Sequence, residues 1–485
     1  MSPERLIFEF SHPGRRAWSL PPLDVPEVNL KEEIGDNIRE DNQLPEVSEV
    51  DLMRHFVRLS VLNHHVEKGF YPLGSCTMKY NPKVNEVAAR LPGFVPLHPL
   101  EPDEMVQGAL RLMFELGEYL KELTGFDAVT LQPAAGAQGE LTGMLLARKF
   151  FEKKGENRTL VLVPDSAHGT NPASVTLSGF QAVQIKSSSE GLIDISELQR
   201  SCSDRVACLM VTNPNTLGLF ESEIKKICEV LHQQGALVYL DGANFNAYVG
   251  IHRPGDAGVD IMHINLHKTF STPHGGGGPG SGPVVVKSHL EPFLPKPVVR
   301  YTNGRYWLDY DRPDSIGRVL AFHGQFGVLV KAYTYIRMLG AEGLREVAEC
   351  AVLNANYIRQ GLEGVFHLPY QRRSLHEVVF SGSNLKQFGV KTLDVAKRLL
   401  DFGIHAPTVY FPLIVPEALM IEPTETESVE SLDEFINAMK AIAAEARVNP
   451  DNLHNAPWNT PVRRLDEARA SRQLDVNYQE TGDVC

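Results

Sequence analysis

The chain has 485 residues, enough for two or three domains, and its 43% apolar and 22% charged residues are ordinary for a globular protein. A net charge of −13 argues against nonspecific binding to nucleic acid or to an anionic membrane surface. The six cysteines stand singly, with no C-x-x-C pair, secretory leader or bilayer-length apolar run, which points to a reducing, cytoplasmic setting without a zinc knuckle or redox dithiol.

Residues 1–60 are rich in Pro, Glu and Asp and read as an N-terminal arm that needs another surface, such as a second subunit. Apolar periodicity resumes at 51–62, and a large domain is expected over 61–330. The stretch Y-P-L-G-S-C-T-M-K-Y-N-P at 71–82 is dense in turn residues. It reads as a connecting loop, or, with its thiol, hydroxyl and ammonium groups, as the wall of a site. Apolar residues at three- and four-residue steps predict a helix over 103–124, stopped by Gly125. Val129-Thr130-Leu131 is strand-like, and P-A-A-G-A-Q-G-E at 133–140 then feeds a helical pattern over 140–151. Such a turn is either a tight connection of small residues or a phosphate site, because helix N-terminal N–H groups and the helix dipole attract anions.

Strands then alternate with helix-length segments. Strands are expected at 159–163, 181–185, 206–212, 236–240, 259–266 and 283–287, and helices at 193–200 and 221–234. That alternation predicts an α/β fold with a mostly parallel sheet covered on both faces. An aromatic, Arg-rich loop at 300–318 precedes a long helix over 324–340 and a helical stretch over 346–362. A strand at 377–380 and helices at 392–401 and 432–446 suggest a smaller α/β C-terminal domain over 331–448, followed by a polar tail over 449–485.

The chemistry centres on 263–282, H-I-N-L-H-K-T-F-S-T-P-H-G-G-G-G-P-G-S-G. Lys268 falls where an apolar strand gives way to a breakable glycine run. Open α/β sheets bind ligands at such strand ends, and an amine in a dry cleft can form a Schiff base with an aldehyde cofactor. A solvated, idle lysine is the plainer reading. Gly275, Gly277 and Gly280 also match the dinucleotide pattern G-x-G-x-x-G, but the residues that follow look like a strand where that motif needs a helix. Asp241 closes an earlier apolar strand. A carboxylate there can hold a pyridine nitrogen protonated, although a lone strand-end Asp is more often a cap. His168, in a loop between two strands, can stack on a pyridine ring. His263, His267 and His274 match no zinc-helix spacing, so no metal is expected, and G-x-S-x-G is absent. Taken together, the strand-end lysine, the upstream Asp241 and the phosphate turn favour pyridoxal 5'-phosphate.

The stretches at 71–82, A-G-A-Q-G-E at 135–140, H-G-T-N-P-A-S at 168–174, T-N-P-N-T-L-G at 212–218 and N-L-H-K-T-F-S-T-P-H-G-G-G-G-P-G at 265–280 resemble the P-protein of the glycine cleavage system, glycine decarboxylase. The likeness is to the second subunit of the two-subunit form. It implies a fold-type I, aspartate aminotransferase-like large domain with a smaller C-terminal domain. It implies Lys268 as the Schiff-base lysine, Asp241 on the pyridine nitrogen and His168 stacked on the ring. Gly136, Ala137 and Gln138 would approach the phosphate; Thr216, Asn213 and His267 are weaker candidates for hydrogen bonds to the cofactor. Ala134 and Ala135 stand where the family pattern has more hydroxyl character, so phosphate contacts there are expected from the backbone. The implied reaction decarboxylates glycine, passes the aminomethyl group to the lipoyl arm of the H-protein and releases carbon dioxide. The implied partner is a homologous, lysine-free subunit 1, in a heterodimer doubled to a tetramer. Two alternatives differ in what they need. Another fold-type I enzyme, an amino-acid decarboxylase or cysteine desulfurase, would not need 71–82 or 168–174. A non-catalytic subunit would not need the Asp241–Lys268 pair.

Overall fold

The computed structural model describes residues 4–38, 44–275 and 280–476. Residues 276–279, including Gly277 of the G-x-G-x-x-G match, and Cys485 lie outside the described residues. Two compact units divide the chain, one of residues up to Lys68 with those from Pro457 onward, the other Gly69–Ala456. In the first, the helix Glu49–Leu62 starts at Ser48, whose hydroxyl oxygen accepts the Asp51 N–H. Only His55 of this helix is buried, while Met53, Phe56, Val57 and Val61 are more than half exposed.

The second unit is built on a seven-stranded sheet. Its strands are β1 (Ala128–Thr130), β2 (Leu160–Pro164), β3 (Gln181–Ile185), β4 (Val206–Thr212), β5 (Leu237–Asp241), β6 (Ile261–His263) and β7 (Val284–Val286). They lie in the order β1-β7-β6-β5-β4-β2-β3. Only β7 runs antiparallel to its neighbours. All seven residues of β4 are buried, because a parallel sheet carries helices on both faces. Side-chain alternation divides the core: Leu209 and Val211 face one cluster with Leu116, Val238 and Met262, while Cys208 and Met210 face the other with Met144, Tyr239 and Ile261. The helix Gln107–Thr124 meets the first cluster through Leu112, Leu116 and Leu120, and Gly125 ends it in a left-handed conformation at φ 77°.

A hairpin of β8 (Val298–Thr302) and β9 (Arg305–Asp309) occupies part of the segment expected as a loop over 300–318. The unused signal was Asn303-Gly304, whose positive φ angles of 52° and 83° suit the tight turn of a two-residue hairpin. A second sheet, β10 (Val378–Ser381), β12 (Ala418–Ile421) and β11 (Thr408–Val409), is antiparallel and packs its own core with the helices Phe326–Leu362 and Val429–Val448. The two helical stretches expected at 324–340 and 346–362 are one element broken at Gly340.

Two local expectations change. The segment read as a loop around His168 runs into a helix, Thr170–Leu177, with Pro172 in its first turn, where a missing N–H costs nothing. The strand expected over 259–266 is only Ile261–His263, and Lys268, expected at the junction of strand and glycine run, rides on a short helix, Leu266–Thr269, between the two. No helix among the described residues is long and apolar enough to cross a membrane.

The turn at 212–218 depends on its last residue. Gly218 has φ 74°, and a Cβ there would stand 2.1 Å from the Glu377 carbonyl oxygen. Gly218→Ala is expected to destabilise the protein by about 1–3 kcal/mol, combining left-handed strain with overpacking. Thermal unfolding of the variant should begin several degrees lower; an unchanged midpoint would contradict the contact.

Candidate functional site

Three parallel strands end at one edge of the sheet. Thr212 pairs with Asp241 across β4 and β5, and Leu240 pairs with Met262 across β5 and β6. Beyond that edge lies a cleft of about 260 Å³ whose lining includes Gly136, Ala137, His168, Thr216, Asp241, His267 and Lys268. The sequence-predicted residues that remain outside its lining are Gln138 and Asn213. Gln138 turns its side chain away, accepting the Ala134 N–H and donating to the Val319 carbonyl. Asn213 is buried and accepts the Glu221 N–H at 3.0 Å.

One wall is the N-terminus of the helix Gly136–Lys154, which no side chain caps. Its first-turn N–H groups are therefore open to an anion. The small residues here have a steric cause. A Cβ on Gly136 would come 2.4 Å from Asn265 Nδ2, and one on Gly282 would come 2.1 Å from the Ala135 carbonyl oxygen. The turn and the returning strand touch backbone to backbone.

Asp241 lies in the floor. Its Oδ1 accepts the Ala243 N–H and its Oδ2 accepts Asn171 Nδ2, both at 2.9 Å, and His263 Nε2 is 3.5 Å from Oδ1. Burial alone would raise its pKa. His263, the two hydrogen bonds and the Lys268 charge outweigh burial and hold it below the ordinary value, so the floor carries a carboxylate. His263 is itself fixed, with Nδ1 2.7 Å from the Tyr239 hydroxyl and Nε2 2.8 Å from Asn265 Oδ1. In the sequence it was only a discarded metal candidate; its place at the end of β6 was the signal that it neighbours the end of β5. His168 lies with Nδ1 2.9 Å from Thr170 Oγ1, and burial lowers its pKa against the opposing charge of Asp241. Burial, then Lys268, brings His267 down to about 3. Both imidazoles are neutral at physiological pH.

Lys268 Nζ donates to the Ser75 carbonyl at 2.7 Å. That carbonyl belongs to the 71–82 loop, in which Ser75 and Thr77 have positive φ angles of 66° and 48°. Such strained conformations persist only where the surroundings hold them. Here Glu377 accepts the Ser75 N–H and Glu422 accepts both the N–H and the hydroxyl of Thr77. Both acids are fully buried, and burial raises their pKa values. With His376 they form a cluster of potential ligand atoms within 4.8 Å of one another. Three of the four carboxyl oxygens, Glu377 Oε2 and both of Glu422, already serve the loop, which makes the two acids its anchor. Cys76 also lines the cleft, and burial raises its thiol against the influence of Lys268. Lys79, grouped with the site wall in the sequence, acts instead as a strut behind it. Its ammonium, 1% exposed, reaches Glu425 Oε1 (2.7 Å), Asn246 Oδ1 (2.8 Å), the Thr269 carbonyl (2.9 Å) and the Tyr335 hydroxyl (3.2 Å).

The cleft therefore offers an amine, a buried carboxylate and an anion cradle. Thr212 Oγ1 and His274 Nδ1, both in its wall, are buried without a hydrogen-bond partner. Buried polar atoms of that kind need a ligand or water. This donor set suits a phosphorylated pyridine aldehyde such as pyridoxal 5'-phosphate.

A family model described as glycine cleavage system P-protein matches residues 24–305, and one described as the C-terminal domain of glycine dehydrogenase matches 347–461. A protein of Chloroherpeton thalassium named probable glycine dehydrogenase (decarboxylating) subunit 2 is 57% identical over 481 residues, 98% of each chain. One of the same name from Desulforamulus reducens is 60% identical over 479 residues, 98% of this chain and 99% of that one. A solved glycine decarboxylase (P-protein) in inhibitor-bound form aligns with TM-score 0.71 at 23% identity, over 85% of this chain and 93% of that one. The apo cysteine desulfurase of Thermococcus onnurineus aligns with TM-score 0.62 at 15% identity, over 78% and 95%. These structural likenesses establish the fold as fold-type I, the architecture of aminotransferases and desulfurases.

The strut behind Lys268 yields a direct test. Lys79→Met removes one partner of a buried ion pair and leaves Glu425 without its cation. The expected loss is about 3–5 kcal/mol, read by chemical denaturation. A loss below about 1 kcal/mol would mean that the network does not fix the Lys268 helix.

Proposed function

The chain belongs to the glycine cleavage system P-protein family, and we infer that it is the catalytic second subunit of a decarboxylating glycine dehydrogenase. The observation that carries this reading is the convergence of Lys268, Asp241 and the uncapped Gly136 helix on one cleft.

Pyridoxal 5'-phosphate, when bound there, supplies an aldehyde for imine exchange with glycine and a ring that accepts the electron pair left as carbon dioxide departs. Lys268 provides the amine that holds the cofactor, and the Ser75 carbonyl keeps its Nζ at the cleft wall. Asp241, held ionised by its neighbours, would keep a proton on the pyridine nitrogen. His168, neutral and in the cleft lining, would stack on the cofactor ring. The uncapped N–H groups of Gly136, Ala137 and Gln138 would hold the phosphate, with Thr216 and His267 of the cleft lining as further hydrogen-bonding candidates. The acceptor would be the lipoyl disulfide of an H-protein: its S–S bond breaks, one sulfur takes the aminomethyl group and the other leaves as a thiol.

The exposed apolar residues of the helix Glu49–Leu62 support a second chain as partner, in keeping with the subunit naming of the relatives. We assign that role to a homologous, lysine-free subunit 1, in an α2β2 assembly with the N-terminal arm across the partner. A cytoplasmic setting accords with the scattered cysteines.

Borohydride reduction of the protein incubated with the cofactor should fix it to Lys268; mass spectrometry finding the adduct on another lysine would overturn the assignment. Asp241→Ala should keep the cofactor and slow decarboxylation by about 10²–10³-fold, the usual cost of one lost electrostatic stabiliser. Near-normal turnover would place the proton-holding carboxylate elsewhere. The isolated chain should exchange carbon dioxide with glycine poorly until subunit 1 and lipoylated H-protein are added, and full activity of the chain alone would refute the assembly.

A further inference from the structure

Glu140 is buried in the second turn of the Gly136 helix and has no part in the chemistry above. Its two oxygens nevertheless reach both residues assigned to the cofactor ring. Oε1 lies 2.8 Å from Thr170 Oγ1, which lies 2.9 Å from His168 Nδ1. Oε2 accepts Asn171 Nδ2 at 3.1 Å and Ser174 Oγ at 3.2 Å. The same Asn171 Nδ2 donates to Asp241 Oδ2 at 2.9 Å.

The Thr170 hydroxyl has one proton and two partners that can take it. When Glu140 is a carboxylate, that proton goes to Oε1, and His168 Nδ1 must then carry a proton of its own to donate to Oγ1. When Glu140 is an acid with its proton on Oε1, Glu140 donates to Thr170 and Thr170 donates to His168 Nδ1. A second contact decides between them. The backbone N–H of Thr170 points at the same Nδ1 at 3.3 Å, and an N–H approaches an acceptor, not another donor. Nδ1 is therefore the acceptor and the His168 proton sits on Nε2; the 2.9 Å contact between Oγ1 and this unprotonated Nδ1 then calls for the Thr170 proton, shared with the N–H on one lone pair, and the proton between Oγ1 and Oε1 is left to come from Glu140.

We propose that Glu140 is a positioning residue of this site: as a neutral acid it sets the His168 tautomer through Thr170 and orients the Asp241 carboxylate through Asn171. The proposal rests on the cofactor reading above. Electrostatics agree with the geometry. Burial first, then the charge of Asp241, raises Glu140 to about 7, against the donors Asn171 and Ser174 and, for the ionised form alone, Thr170. Tyr239 on β5 also feels its charge, and the cleft it lines holds the titratable groups of Cys76, His168, His263, His267, His274 and Lys268 as well.

Glu140→Gln copies the neutral acid, since its amide N–H can donate to Thr170 while its carbonyl accepts from Asn171 and Ser174. Glu140→Leu copies neither. In the assembly of both subunits with cofactor, wild-type turnover should fall as pH rises through about 7, where the acid loses its proton. The E140Q profile should lose that alkaline limb, and E140L should turn over up to about 100-fold more slowly than E140Q while holding the same cofactor content. In the cofactor-free assembly, infrared difference spectra of wild type against E140Q should show an acid C=O band that disappears as pH rises through about 7. A wild-type and an E140Q profile with the same alkaline limb, or a difference spectrum with only carboxylate bands below pH 7, would overturn the proposal. Cofactor fixed on Lys268 together with either result would sink this role of Glu140 alone. Failure to fix cofactor on Lys268 would sink the cofactor reading with it.

Discussion

The parallel register of β4, β5 and β6 is the constraint on which the site depends. Thr212 opposite Asp241 and Leu240 opposite Met262 bring three strands to one edge, and their last residues become the floor of a cleft. A slip of one residue would turn Asp241 toward the opposite face and send Tyr239 and Leu240 into each other's cores. The unbroken burial of β4 and β5 prevents such a slip, because each alternate side chain is committed to a different cluster. Lys268 reaches the same edge only through the short helix after β6, and Lys79 holds that helix by its Thr269 carbonyl.

Much of this was legible in the sequence because it followed from period and punctuation. Buried parallel strands read as continuous apolar runs, and Asp241 and Lys268 stood out as polar residues at their ends. The Gly136 turn was visible because backbone contact leaves room for no side chain there. What was missed depended on partners far along the chain. Nothing near Glu377 or Glu422 marks them as anchors of a loop some 300 residues earlier. Glu140 closed the P-A-A-G-A-Q-G-E turn without a mark of its own, because its partners Thr170, Asn171 and Ser174 lie some 30 residues on. His263 looked like a metal candidate because its true neighbours, Tyr239 and Asp241, belong to another strand. The Asn303-Gly304 hairpin is different: its signal was local and was passed over in favour of the surrounding arginines and aromatics.

The cleft concentrates ionisable groups without leaving their charges unopposed. Asp241 stays ionised because His263, Asn171 and a backbone N–H all favour its charge. Glu140, tied to the same Asn171, feels that charge as repulsion in a dry setting. Two carboxyl groups that share the Asn171 amide thus have their pKa values pushed in opposite directions within one pocket.

The bond from Thr77 to Glu422 spans 345 positions. A ribosome making this chain will have finished every strand of the large sheet long before the acid that locks the 71–82 loop emerges. Nascent protein up to about residue 300 can thus collapse into a sheet with its lysine and aspartate at one edge while one wall of the cleft is still unsecured. Closure of that wall therefore waits until the segments carrying Glu377 and Glu422 have been synthesised and folded.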